Sequence, residues 1–324
     1  MVIQGAVFLL AKIGSNAEVL EVLEVLEVLE VIESGSGQVV NVVWAEEGGL
    51  AANDRGLAYG DGLFETIRMQ GRRGALLGRH QRRLLADAER LGITVGHDAL
   101  SRACQLAAER YAPGFGEKTD AHSGAGGWPG KGGWVLKLIL SRGPGGRGYR
   151  PDSNSRPQLL ISAGPLPPLP PATGVVADIA RQRLTVNPQL AGMKTLNRLE
   201  QVMAARELTD GVFELIMCDH NDCLVEGTRT NVLVKTTAGW ITPPATALAV
   251  DGVMRQWVLD CLRRRGEPVL ERSLKLAGLR VPVCEGLYLL SSVLGVVPVY
   301  QLANAHLPVT GGLATICDLL TTLE

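Results

Sequence analysis

Residues 190–202 read LAGMKTLNRLEQV, with one lysine, Lys194, just ahead of a stretch of helical pattern. The chain holds seven lysines against twenty-five arginines, so this one stands apart. A surface lysine keeps its head in water, and charged side chains are almost never fully buried. A lysine among apolar neighbours behaves differently: its amine pKa falls, and it can form Schiff bases and move protons. Which reading applies to Lys194 depends on what the rest of the chain sets around it.

Downstream of Lys194 the pattern predicts a helix over 195–209, strands at 213–218 and 231–235 with a turn at Asp219-His220-Asn221-Asp222, and a helix over 252–265 starting at Gly252. A strand pair near 286–300 and a short C-terminal helix follow. Upstream, strand 175–181 is preceded by GPLPPLPPATG at 164–174, whose five prolines make a stiff extended linker. Before it, the tight turn Tyr59-Gly60-Asp61-Gly62 leads into strand 63–68, and residues 70–74 look like a hairpin connection. Residues 79–92 carry Leu84, Leu85, Ala88 and Leu91 at helical spacing, with Gly92 where a helix stops. A second helix is predicted over 98–111, a glycine-rich surface loop over 113–133, and a strong strand at WVLKLILSRG.

Residues 18–33 read EVLEVLEVLEVLEVIE. On a helix, positions three apart rotate by about 300° per step, so no clean apolar face forms. On a strand, period three defeats alternation. The stretch is expected to be an appendage, a frayed helix or disordered, followed by the flexible linker Ser34-Gly35-Ser36-Gly37; a self-associating helix is the sharper alternative. The organisation read from these patterns is a low-complexity extension at 1–37, a small α/β domain at 38–163, the proline-rich linker at 164–174 and a larger α/β domain at 175–324. Strands and helices mix in both halves, so the fold class is α/β or α+β.

Hydrophobic residues make up 46% of the chain and charged residues 20%, which suits a sizeable core, and with aromatics at 4% that core must be Leu, Val and Ala. A net charge of −1 gives no nucleic-acid footprint. No apolar run approaches the ~20 residues of a membrane span, and MVIQGAVFLLAKIG lacks the basic start of a secretory signal. The six cysteines form no CxxC pair and read as small buried apolar residues in a reducing compartment, the cytoplasm. The five histidines form no HxxxH or HExxH pattern, so no metal is expected.

Six stretches then point one way: DRGLAYGDGLFETIR (54–68), HQRRL (80–84), VLKLILSRGPGGRGY (135–149), NPQLAGMKTLNRLEQV (187–202), VEGTRTNVLV (225–234) and DGVMRQWVL (251–259). In type and order they resemble the fold-type IV pyridoxal-phosphate enzymes, the group of branched-chain and D-amino-acid aminotransferases and 4-amino-4-deoxychorismate lyase. The resemblance implies a two-domain α/β fold with pyridoxal 5'-phosphate at the domain interface, and a homodimer. It makes Lys194 the lysine that condenses with the cofactor aldehyde and then carries the α-proton. Glu226 matches the carboxylate on the pyridine nitrogen. Arg83 matches the phosphate arginine, with Arg82 competing; the ordinary reading of Arg79 and Arg82 is a solvated helix face. The helix start at Gly252, Val253 and Met254 offers backbone N–H groups to the phosphate. Thr230 and Asn231 match the polar pair after the glutamate, holding the turn or touching phosphate, and Ser291 and Ser292 fall where another phosphate-contacting loop belongs.

The substrate end, with Phe64 on its wall and the loop Ser141–Tyr149, resembles the lyase more than the aminotransferases. The expected reaction is the lyase step of folate synthesis: 4-amino-4-deoxychorismate loses pyruvate and becomes 4-aminobenzoate. Its two carboxylates would meet Arg142 and Arg147 on a mobile glycine loop; the alternative is that these arginines hold the loop through backbone carbonyls. The runner-up activities are a branched-chain or D-amino-acid aminotransferase, and a non-catalytic scaffold assembling through the repeat. The extension at 1–37 and the insertion at 113–133 have no counterpart in the resemblance.

Overall fold

The computed structural model describes residues 40–115, 133–279, 283–310 and 312–324, and the backbone alone at 2–7, 11–13, 20–22, 26–33 and 39. In the first half the strands are β1 (Val2–Val7), β2 (Ala11–Ile13), β3 (Leu20–Val22), β4 (Leu26–Glu33), β5 (Val39–Trp44), β6 (Gly62–Gln70), β7 (Arg73–Gly74), β8 (Gly133–Ser141) and β9 (Gln158–Pro165); the helices are α1 (Arg55–Tyr59), α2 (Leu77–Leu91) and α3 (His97–Phe115). Seven of these strands form one sheet, in the order β1-β4-β5-β9-β8-β6-β7. Its centre is the long antiparallel pairing of β6 with β8 and of β8 with β9.

Alternation explains β6. Leu63, Ile67 and Met69 are buried in a core with Leu84, Ala88, Leu100 and Ala103 of α2 and α3. Gly92 closes α2 in the left-handed region, its N–H reaching the carbonyls of Ala88 and Glu89. Leu136, Leu138 and Leu140 of β8 complete this core.

The expectation for the repeat at 18–33 is corrected where it is described: Leu20–Val22 and Leu26–Glu33 are strands, and β4 runs antiparallel to β5 with Glu30 opposite Val42. Backbone pairing to a sheet edge does not need side-chain alternation, and valine favours the extended chain. Residues 18–19 and 23–25, the Ser34–Gly37 linker and residues 116–132 of the glycine-rich stretch lie outside the described residues.

The second sheet takes its strands from β10 (Val175–Ile179), β11 (Glu214–Cys218), β12 (Leu224–Gly227), β13 (Asn231–Thr236), β14 (Gly239–Thr242), β15 (Val269–Glu271), β16 (Cys284–Ser291), β17 (Gly295–Leu302) and β18 (Ala305–His306). Their order is β12-β11-β10-β17-β16-β13-β14-β15, with β18 on β17. Helix α5 (Val253–Arg264) packs Val258, Leu259 and Leu262 on one side of it. Helices α4 (Leu199–Ala205) and α6 (Leu313–Ile316) complete the fold. The strand after the 219–222 turn is β12, which the sequence pattern passes over. The chain end returns to the first sheet, where Leu76 N donates to Thr322 O and Glu324 N to Gly74 O. Five of the six free cysteines are buried, and Cys223 is half-buried.

The predicted helix over 195–209 is shorter, Leu199–Ala205. Residues 192–196 are not helical, because backbone bonds pull them both ways. Phe64 N donates to Lys194 O and Leu196 N to Gly62 O on the first sheet; Gly192 N donates to Leu248 O and Asp251 N to Gly192 O beside the second. Lys194 thus sits on a strap between the two sheets.

Candidate active site

A cavity of about 750 Å³ opens where the strap crosses, lined by Lys194, Glu226, Arg83, Phe64 and the start of α5. Thr230, Asn231, Gly252, Val253, Met254, Ser291 and Ser292 also line it. Eleven of the thirteen residues singled out from sequence therefore share one wall system; Arg142 and Arg147 do not.

Lys194 is half-buried, with its Nζ over the Phe64 ring at 4.2 Å from the centroid. Burial and then the Arg83 guanidinium lower its amine to about 7. An amine so placed is uncharged in about half of the molecules near neutrality, which gives it nucleophilic character. The carbonyl side of the strap fixes its stem, and Lys194 N donates to Asp87 Oδ2 at 3.3 Å.

Glu226 stands on β12, almost fully buried. Its Oε2 accepts from Val250 N at 3.0 Å and its Oε1 from Gln201 Nε2 at 3.4 Å. Burial pushes its carboxyl up to about 7, against the pull of Arg198. The Val250 carbonyl accepts from Asn231 Nδ2 at 2.9 Å, so Asn231 holds the loop that holds Glu226.

Arg83 reaches the cavity from α2, while Arg82 faces out and Arg79 pairs with Asp260. Its Nε and Nη2 donate to Glu65 at 2.7 and 2.6 Å, and its Nη1 to Asp251 O at 3.0 Å. The remaining N–H bonds of the fork are available to an anion. Across from it α5 begins: the first intrahelical bond is Gln256 N to Gly252 O, so the earlier N–H groups lack helical acceptors. Thr230 holds its turn, giving its hydroxyl to the buried Glu214. Ser291 Oγ accepts from Val293 N and Leu294 N, and Ser292 Oγ donates to Thr66 O.

The expectation that Arg142 meets a substrate carboxylate is corrected. Its guanidinium grips both oxygens of Asp61, at 2.7 and 2.9 Å, and donates to the carbonyls of Leu91 and Gly92. This is the alternative role, holding the loop, and it uses four of the five N–H groups of the side chain. Arg147 is exposed and lines no part of the cavity. The loop is further pinned by Arg55, which donates to the carbonyls of Gly148 and Tyr149.

Four contributors were missed from sequence. His80 and Asp87 are buried on α2 with Arg83, at spacings of three and four, so α2 carries a buried polar seam beside its apolar stripe. Burial raises Asp87 to about 6. Arg198, four residues after Lys194, donates to Met193 O and Thr195 O and lines the cavity. Lys137 lines the opposite wall from β8. The helical spacing of the polar seam was the available signal.

Whether these residues suit a phosphorylated ring with a protonated nitrogen can be read from the chemistry of the donors. Glu226 is a buried carboxylate whose own partners leave it near neutrality, so an N–H⁺ facing it would be strongly favoured. Arg83 and a helix start line the same cavity. A Cβ on Gly252 would lie 2.0 Å from Asn231 Oδ1, so only glycine lets the backbone pass there. The set fits. Gly252→Ala is expected to cost roughly 1–3 kcal/mol of stability, by displacing Asn231 and with it Val250. It should also weaken binding of the ring, and a thermal melt with equilibrium dialysis of pyridoxal phosphate checks both.

Among the described residues no helix is long and apolar enough to cross a membrane, and no cluster could hold a metal ion. The chain matches the model of the class IV amino-transferase family over residues 62–302. It is similar to a putative branched-chain-amino-acid aminotransferase of Methanocaldococcus jannaschii, 28% identical over 251 residues, covering 77% of this chain and 81% of the relative. Among solved structures it is similar to the 4-amino-4-deoxychorismate lyase of Pseudomonas aeruginosa, with 34% identity and a TM-score of 0.74 over 84% of this chain and 94% of that one. It also shares the fold of a PLP-bound hypothetical aminotransferase from Mycobacterium tuberculosis, with 22% identity and a TM-score of 0.66 over 90% and 97% of the two chains. With its two mixed sheets, its cavity lysine and a family match spanning most of its length, the chain belongs to the class IV aminotransferases.

Proposed function

We propose that the protein is a pyridoxal-phosphate-dependent 4-amino-4-deoxychorismate lyase that releases pyruvate and forms 4-aminobenzoate. The observation that carries the chemistry is the Lys194 amine, lowered to about 7 in a cavity that Arg83 and Glu226 also line. The bound cofactor supplies an electrophilic aldehyde and an electron sink. Arg83 and the N–H groups at the start of α5 would hold its phosphate, and Glu226 would accept the ring N–H and keep it protonated. Lys194 would offer its amine as nucleophile and, when free, would take the proton from the carbon bearing nitrogen. Departure of pyruvate makes the ring aromatic, so these residues mainly position and deprotonate.

The lining supports a substrate with two carboxylates. Lys137, Arg198 and Arg229 stand around the cavity with Arg83 and Lys194, and Glu226 is the one carboxylate among the described lining residues. The similarity to a solved lyase at 34% identity favours the same choice. The similarity to a putative branched-chain aminotransferase keeps amino transfer as the second reading. Exposed Leu199, Val202 and Met203 on α4, beside the cavity mouth, suit coverage by a second copy, and the free cysteines suit a reducing cytoplasm.

One assay separates the activities. Purified protein is expected to convert 4-amino-4-deoxychorismate to 4-aminobenzoate at least tenfold faster than it transfers an amino group from branched-chain or D-amino acids to 2-oxoglutarate. Turnover confined to the second pair would sink the lyase reading.

A further inference from the structure

The core face of β6 carries Leu63, Ile67 and Met69, and in their midst Glu65, 1% exposed. A lone carboxylate on an apolar face is costly unless it is paired and hydrogen-bonded. Glu65 receives three charged or polar bonds from α2: Arg83 Nε and Nη2, and His80 Nδ1 at 2.6 Å. His80 is fully buried, and its Nε2 has no hydrogen-bond partner. A neutral imidazole with its proton on Nδ1 leaves only a bare lone pair at Nε2. An imidazolium would bury an unpaired N–H together with a charge, which is far more costly.

We infer that Glu65 is a positioning residue: held as an anion between His80 Nδ1–H and the fork of Arg83, it aims Arg83 at the cavity and counters its charge at the Lys194 amine. Charged groups acting on that amine include Arg83 from α2, Arg198 ahead of α4, Glu226 from β12 and Glu65 itself; Arg83 and Arg198 work against the ammonium, the two carboxylates for it. Asp87 of α2, which accepts from the Lys194 backbone N–H, and Lys137 of β8, on the same Phe64 ring, also face the site. His80 is kept neutral by burial. Burial alone would raise Glu65, but Arg83 and His80 outweigh it and hold it at about 2. The carboxylate therefore stays charged through the physiological range.

Glu65→Gln removes the charge at nearly constant shape. The amide oxygen can still accept from Arg83 Nε, but the amide nitrogen cannot accept from Arg83 Nη2, and it can donate to Nδ1 only if His80 moves its proton to the unpartnered Nε2. The counter-charge is lost together with one Arg83 bond, and the ammonium of Lys194 becomes harder to form. The test uses the full chain stripped of cofactor, with the pH profile of Lys194 acylation read by peptide mass spectrometry. The midpoint of the Glu65→Gln profile is expected about one pH unit below wild type. An unchanged or alkaline-shifted midpoint overturns the inference. Independently of any variant, ¹⁵N spectra of the wild-type chain should show His80 with Nδ1 protonated and Nε2 bare at neutral pH; an imidazolium or the opposite tautomer overturns it as well. The inference rests on the proposed function only for the role given to Lys194. Neither readout uses bound cofactor, so wild-type protein that takes up no pyridoxal phosphate would sink that function and leave the Glu65 result to stand or fall alone.

Discussion

Lys194→Ala should leave a folded protein with turnover reduced by roughly 10⁴-fold or more, because one side chain serves as both nucleophile and proton carrier and a general base alone is worth about 10²–10⁴. Folding should survive, since the strap is held by its backbone: Phe64 N to Lys194 O, Leu196 N to Gly62 O and Asp251 N to Gly192 O persist without the side chain. Losing an amine that burial already disfavours gives up its contact with the Phe64 ring but breaks none of these backbone bonds. Lys194→Arg is expected to be equally inactive, because a guanidinium keeps its proton throughout the working range. Initial rates on purified protein give the loss. Borohydride reduction followed by peptide mass spectrometry should add the cofactor mass to the Lys194 peptide of wild type and to no peptide of the variants. Activity of either variant within tenfold of wild type would remove Lys194 from the chemistry.

Glu226→Gln should separate function from stability in opposite directions. Turnover should fall about a hundredfold or more, as the ring nitrogen loses the anion that keeps it protonated. Stability of the cofactor-free chain should rise instead. Burial lifts the Glu226 carboxyl from 4.5 to about 7, so the folded state resists ionisation that the unfolded state allows. Below about pH 4.5 the carboxyl is neutral in both states and the variant gains nothing. The gain grows as pH rises towards 7 and is complete above it, at most ~3 kcal/mol, and somewhat less if the new amide is imperfectly bonded. Urea melts of both cofactor-free chains at pH 4 and pH 8 test this. A variant less stable than wild type at pH 8 would show that Glu226 is satisfied by its present partners and is not waiting for a cation.

The parts of this site that sequence discloses are those whose chemistry is carried by a short local motif. Lys194 lies in KTLNR, Glu226 begins EGTRTN, and Gly252 opens an amphipathic helix; each needs only its neighbours to be noticed. What sequence conceals depends on pairing across the fold. Helix α2 was read through Leu84, Leu85, Ala88 and Leu91, yet the same turns bury His80, Arg83 and Asp87 on a second face, and a polar seam leaves no trace in hydrophobic periodicity. Arg142 looked free because its partners, Asp61 and the carbonyls ending α2, are fifty or more residues away. The helix after Lys194 was overextended because backbone bonds from both sheets overrule local propensity at 192–196. The described part of the repeat at Leu26–Glu33 is a strand for a related reason: the edge of β5 supplies hydrogen bonds without asking for a side-chain period.

The strap carries a consequence for how substrate gains entry. Swinging the two sheets apart on a hinge would tear the strap from Gly62 and Phe64, held by Leu196 and Lys194, or from Leu248 and Asp251, held by Gly192. Either rupture would also drag the amine off its place over the Phe64 ring. Whole-lobe opening therefore carries the cost of these backbone bonds, whereas the rim residues Pro165 and Pro167 take no part in them.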